Sequence, residues 1–193
     1  MGGHYIVIAY LPDGVYEAVS AAAVVSRMRL TFPRLQFGQM VEIGGGLPSK
    51  SHDIRLGDIV ISQACGKHGG VIQYDYGKAI QGGLLERIGA LNKPPHTLLT
   101  QISRLRANWM ASSECTKENL VNREPRAQRT PYIHFGLIAS GDRVMKDSET
   151  RDRLAQEHGI LCFEMEAAGL MDELPTLVTR GICGYCDSHK QKQ

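Results

Sequence analysis

Short β-branched apolar runs alternate along this chain with longer segments whose apolar residues recur at helical spacing. That alternation leaves few architectures open, because strands interleaved with helices bury their apolar faces by stacking helices against a sheet. Tyr5 to Leu11 (YIVIAYL) reads as a buried strand. After the Pro12-Asp13-Gly14 turn, Val15, Ala18, Val19, Ala22, Val25 and Met28 form a helical stripe. Arg27 and Arg29 lie near its C-terminus, where the helix dipole favours cations, and Phe32-Pro33 ends it. Phe37 to Ile43 follows, then a loop Gly44-Gly45-Gly46-Leu47-Pro48-Ser49, then Asp58 to Ser62 (DIVIS) and a strand over Val71 to Tyr76. Pro95 to Met110 predicts a helix with Leu98, Leu99, Ile102 and Leu105 inward. Residues 111–130 are polar and patternless and read as a surface loop. A strand over Tyr132 to Ala139 is followed by a helix over Ser148 to His158 that Gly159 stops. After a short strand comes a helix over Glu164 to Met171, and Leu177 to Ile182 is the last strand. The pattern predicts one α/β domain over residues 1–193.

Composition narrows the partners. Hydrophobic residues make up 42% of the chain and charged residues 22%, which excludes a disordered protein. Twenty-two basic against 20 acidic residues give a net charge of +2, no electrostatic footing for nucleic acid or an anionic membrane. No apolar stretch approaches the ~20 residues of a membrane span. The start lacks a basic n-region, and no asparagine has Ser or Thr two residues on. Five cysteines are too few for a disulfide scaffold. A cytoplasmic protein is expected, with neither membrane nor nucleic acid as partner.

The sharpest local signal is Phe163-Glu164-Met165-Glu166-Ala167-Ala168-Gly169. A carboxylate in the first turn of a helix is stabilised by the dipole and suits a pair of hydrogen bonds from vicinal sugar hydroxyls. Acidic residues facing solvent at a helix start would leave the same pattern. Spacing alone leaves both readings open.

Together with Ile133 to Met145 (IHFGLIASGDRVM) and Thr179-Arg180-Gly181-Ile182, this segment resembles the purine and uridine phosphorylase and nucleosidase superfamily. The resemblance is nearest to its fungal branch, whose domains often stand ahead of NACHT or ankyrin regions. It extends through FGQMVEIGGGLPSKSHDIRLGDIVIS, GGVIQYDYGKAIQGG and LNKPP, and so covers nearly the whole chain. The fold it implies is a three-layer phosphorylase/hydrolase-like one, a central mixed sheet flanked by helices. The activity it implies is cleavage of the N-glycosidic bond of a purine nucleoside, by phosphate or by water, through an oxocarbenium-like transition state. No cofactor or metal is implied, though phosphate is a candidate co-substrate. Sites built across subunits in the family make a homo-oligomer an expected assembly.

Carried over by residue, Glu166 would hold the ribose 2′- and 3′-hydroxyls beside Glu164, and Met165 would line the ribose. Val144 and Met145 would border the base, and Ile43-Gly44-Gly45 would face the anomeric side. Arg180 would support the general acid from the last strand. The family's acid is an aspartate where this chain has Gly184, and a general acid contributes ~10²–10⁴-fold. Asp187, three residues on, would need a rearranged loop to replace it. Glu42 stands where the fungal branch has glycine, and a carboxylate there would repel phosphate. Set against the family pattern, the fold is expected to be truncated at both ends, lacking a strand and helix before His4 and a final helix after Gln193. Two readings stand: a nucleoside-cleaving enzyme, and a non-catalytic nucleoside-sensing or interaction module.

Other motifs point elsewhere with less force. Cys183-Gly184-Tyr185-Cys186 has redox-pair spacing but follows the last strand instead of opening a long helix. Adding Cys65 and His68 would supply four zinc ligands, from pairs far apart in sequence. His134 and His158 are expected to satisfy local hydrogen bonds.

Overall fold

The computed structural model describes residues 5–11, 17–81, 85–112 and 131–187. Six strands form a mixed sheet: β1 (Gly38–Gly46), β2 (Ile59–Ser62), β3 (Val71–Gln73), β6 (Ile133–Ser140), β7 (Ile160–Glu164) and β8 (Thr176–Gly184). Their order is β2-β8-β1-β7-β6-β3, and β2 also pairs with β6. The sheet therefore curls until β2, β8, β1, β7 and β6 close a ring, with β3 extending β6 outside it. Pairing is parallel for β1 with β8 and for β6 with β2, β3 and β7, and antiparallel for β1 with β7 and β2 with β8. A separate antiparallel pair joins β4 (Gly77–Ala79) to β5 (Leu85–Arg87).

Four helices pack on this frame: α1 (Ala18–Thr31), α2 (His96–Ser112), α3 (Ser148–His158) and α4 (Ala167–Met171). α1 lays Ala21 and Val25 against Leu170 and Leu174 at the α4 side. The approach is close at Gly169, where a Cβ would fall 1.8 Å from the Ala18 carbonyl oxygen. α2 covers Ile59, Ile61, Ile133 and Leu177 with Leu98, Leu99 and Ile102. Leu105 is not inward but 45% exposed, because the contact with the sheet is made by the N-terminal half of the helix. α3 presses Leu154 onto Leu137, Ile160 and Phe163. Asp147 caps it by accepting from the Glu149 and Thr150 N–H groups, and Gly159 closes it in the left-handed conformation. The α/β reading, with a central mixed sheet flanked by helices, holds.

Three local expectations change. Tyr5 to Leu11 is not a strand: it pairs with no described strand, and Tyr5, Ile6, Ile8 and Tyr10 are exposed. An apolar run becomes a strand only where a neighbour takes its backbone hydrogen bonds. Gly44, Gly45 and Gly46 are not a loop but the end of β1, held between β7 and β8. The short helix begins at Ala167, not at Glu164, because Glu164 closes β7. Residues 111 and 112 of the expected surface loop complete α2, and 113–130 lie outside the described residues.

Candidate functional site

The parallel registry of β1 with β8 sets Glu42 beside Arg180. The registry of β6 with β7 sets Ser140 beside Glu164. The second pair adjoins the turn that starts α4. Strand alternation turns Arg180 inward, where its side chain has no exposed surface. Its Nη1 donates to Glu42 Oε2 at 2.6 Å. Its Nη2 bonds Glu164 Oε2, lies 3.6 Å from Glu166 Oε2 and contacts Met40 Sδ at 3.2 Å. One guanidinium thus serves three carboxyl groups.

The turn is fixed from inside. Glu164 Oε2 accepts from the backbone N–H groups of Glu166 at 3.2 Å and Ala167 at 2.9 Å, and Ser140 Oγ accepts from Ala168 N–H at 2.9 Å. Glu164 thereby caps the start of α4 while also meeting the charge of Arg180. Glu166 Oε2 accepts from the Met165 N–H at 3.2 Å. Two buried polar atoms of the cluster, Glu164 Oε1 and Arg180 Nε, have no hydrogen-bond partner among the described residues.

The charge imbalance shows in the proton affinities. Burial, reinforced by the neighbouring Glu42 and Glu164 carboxylates, pushes Glu166 up to about 7, against the opposing pull of Arg180 and the Met165 N–H. Burial alone would lower Arg180, but Glu164 and Glu42 outweigh it and hold the guanidinium above its ordinary value. At neutral pH, Glu166 is therefore divided between an acceptor-only carboxylate and a form that can also donate.

The structure gathers Glu164, Met165, Glu166 and Arg180 and adds Glu42 as a direct partner of the guanidinium. Val144 and Met145 lie on the loop after β6, at the end of the sheet where Gly141 N–H bonds the Glu164 carbonyl. Met145 packs against the core cluster containing Leu47 and Phe163, while Val144 is exposed. Ile43 is exposed on the face of β1 opposite Glu42, as strand alternation requires. Gly44 and Gly45 are shaped by packing: a Cβ on Gly44 would sit 2.9 Å from the Phe163 carbonyl, and one on Gly45 would collide with Cys186 Sγ.

Gly184 ends β8, and a Cβ built there meets nothing within 4 Å. Asp187 lines a cavity of about 310 Å³ with Leu47, Pro48, Arg151, Asp152 and Tyr185, and none of the cluster residues lines it. The turn toward that cavity is fixed by Cys186 at φ 55° and by Arg151 Nη1 donating to the Tyr185 carbonyl. Burial pushes the Cys186 thiol up to about 12, unlike the low-pKa thiolate of a redox pair. Cys65 and His68 pair through their backbones, and no group of three or more metal-ligating side chains occurs among the described residues. His134 bonds Asp58 at 3.1 Å. No helix among the described residues is long and apolar enough to cross a membrane.

A curled mixed sheet carrying an acidic turn beside a buried arginine defines an α/β protein with a polar site at the strand ends. The chain belongs to the phosphorylase superfamily, whose family model matches residues 17–172. It is 40% identical, over a 231-residue alignment, to a nucleotide-binding leucine-rich repeat (NLR)-like protein of Hyaloscypha variabilis, covering 100% of this chain and 23% of that protein. Its fold is similar to that of a futalosine hydrolase mutant of Helicobacter pylori, at TM-score 0.61 and 18% identity, over 89% of this chain and 65% of the hydrolase. It is also similar to a mutant of the Helicobacter pylori nucleosidase MTAN with 5′-methylthioadenosine in the active site, at TM-score 0.62 and 18% identity, over 89% and 65% of the two chains. The chain thus spans under a quarter of the curated relative and just under two thirds of these two hydrolases.

Proposed function

We propose that this domain binds a purine nucleoside through its ribose hydroxyls and that N-glycosidic cleavage is impaired in it. The observation that carries the reading is Glu166, a buried carboxyl at the start of α4, 3.6 Å from Arg180 and raised in proton affinity by burial and by the neighbouring Glu42 and Glu164. A vicinal diol presents both donors and acceptors, and such a carboxyl can answer both. Glu164 and Arg180 act as positioning residues, holding the turn and the orientation of Glu166. Met165 lines the ribose, Val144 and Met145 border the base, and Ile43-Gly44-Gly45 lie toward the anomeric carbon. Membership of the phosphorylase superfamily and the nucleosidase fold support this assignment. A cytoplasmic homo-oligomer is part of the same reading.

Cleavage needs a proton on the departing base. Gly184 cannot supply one, and Asp187 lines a cavity that none of the cluster residues joins. This favours nucleoside sensing over turnover. Titration calorimetry with inosine and adenosine tests binding: Glu166→Ala is expected to weaken it by about tenfold or more. Equal affinity in that variant, or no binding by the unmodified chain, defeats the reading. Gly184→Asp has room for its side chain and is expected to raise inosine hydrolysis by ~10²–10⁴-fold. Vigorous turnover by the unmodified chain overturns the impaired-catalysis half.

A further inference from the structure

The arrangement around Arg180 bears on which ligands this site admits. Both terminal nitrogens of the guanidinium are already engaged, Nη1 by Glu42 and Nη2 by Glu164. Among the described residues, Nε has no partner. Arg180 and Glu164 together are neutral. Glu42 therefore adds a charge that no further cation in the cluster balances, and its side chain, 33% exposed, forms the open side of the group. An oxyanion arriving there meets carboxylates first, and the Arg180 side chain behind them has no exposed surface from which to form the bidentate contact by which arginine captures phosphate. An uncharged hydroxyl-bearing ligand suffers no such repulsion, because its O–H groups donate to carboxylate oxygens.

We infer that Glu42 is a specificity-determining residue of this site, tying up Arg180 and selecting uncharged, hydroxyl-bearing ligands over oxyanions such as phosphate. The inference rests on the nucleoside-binding reading and refines it. Any residual cleavage then uses water as the acceptor, with phosphate excluded as co-substrate.

Glu42→Gln tests this directly, since the amide oxygen can still accept from Arg180 Nη1 while the charge is gone. Glu42→Ala is the second variant, and circular dichroism checks that both fold. Titration calorimetry is run with inorganic phosphate and, separately, with inosine. The unmodified chain is expected to show no saturable phosphate binding. Both variants are expected to gain phosphate affinity by about tenfold or more, the scale of one unit charge removed from a partly buried site. Phosphate binding by the unmodified chain as tight as in the variants overturns the inference, and so does failure of both folded variants to gain it. The inosine arm separates the two claims. Loss of all inosine binding with the phosphate contrast intact defeats the nucleoside reading and leaves oxyanion exclusion by Glu42 standing.

Discussion

Two buried charged groups in this domain are built in opposite ways. At the start of β2, Asp58 accepts from Arg55 N–H at 2.8 Å, Tyr132 N–H at 3.0 Å and His134 Nε2 at 3.1 Å. Its one charge is surrounded by donors, and it ties the β2 entry to the β6 entry. Where mid-β1 and mid-β8 meet the end of β7, three carboxyl groups converge on the single guanidinium of Arg180, and two polar atoms stay unpartnered among the described residues. Complete satisfaction is what a structural polar group needs, because an unpaired buried donor or acceptor costs about 1–3 kcal/mol. Excess charge with unpartnered atoms is the mark of a region whose geometry serves something besides stability. The satisfied carboxylate belongs to the scaffold, and the unbalanced cluster is where we propose that a ligand binds.

The contrast can be broken most forcefully at Arg180. Arg180→Met removes the sole cation from three carboxyls and is expected to cost about 3–5 kcal/mol, read as a lowered urea midpoint. A loss under about 1 kcal/mol would mean that the cluster already tolerates its charge without the arginine. Asp58→Ala comes next. It strands three donors without adding repulsion, and a loss of about 2–3 kcal/mol is expected in the same assay. A larger effect at Asp58 than at Arg180 would reverse the ranking of the two regions.

The third comparison is the pH dependence, and here the sign is diagnostic. The Glu166 carboxyl lies above its ordinary value of 4.5, at about 7, so the folded chain holds more protons than the unfolded chain between those limits. Its contribution to stability is fully present below about 4.5 and is lost as pH rises through about 7. A carboxylate held by a balanced salt bridge behaves in the opposite way. The urea midpoint should therefore fall as pH is raised across this window, and Glu166→Gln should flatten the slope. An unchanged slope in that variant would show that the Glu166 proton is not the one being measured.

Much of the frame was legible before any tertiary contact was known. The helix over Ser148 to His158 was legible in the sequence with Gly159 as its stop, while the Asp147 cap at its start emerged only from the structure. Asp58 to Ser62 and Tyr132 to Ala139 were readable as strands, and each lies within one residue of the observed bounds. Tyr5 to Leu11 carried the same signal and did not become a strand, since pairing depends on a partner that local composition does not name. Gly44 to Gly46 looked like a loop, and their small size instead answers Phe163, Cys186, Ile54 and Ile182 pressing on β1. The acidic turn was legible as a motif. Met40 beneath Arg180 left no local signal, and Glu42 was readable only as a charge unfavourable to phosphate, with its bond to Arg180 hidden in the registry of two strands far apart in the chain.

The sequence by itself determined the α/β class, the rough placement of most elements, the superfamily, and the presence of Glu164, Glu166 and Arg180 with Gly184 nearby. These are properties of local periodicity, turn chemistry and short motifs, which act over a few residues. Tertiary structure alone decided that one guanidinium would be shared among Glu42, Glu164 and Glu166, that Glu166 would hold its proton near neutrality, and that the chain after β8 would carry Asp187 to another cavity. Each of those outcomes depends on strand registry and on burial. Both arise only when segments separated in the chain, by 138 residues for Glu42 and Arg180, are brought together, and only there do charges act strongly on one another out of water.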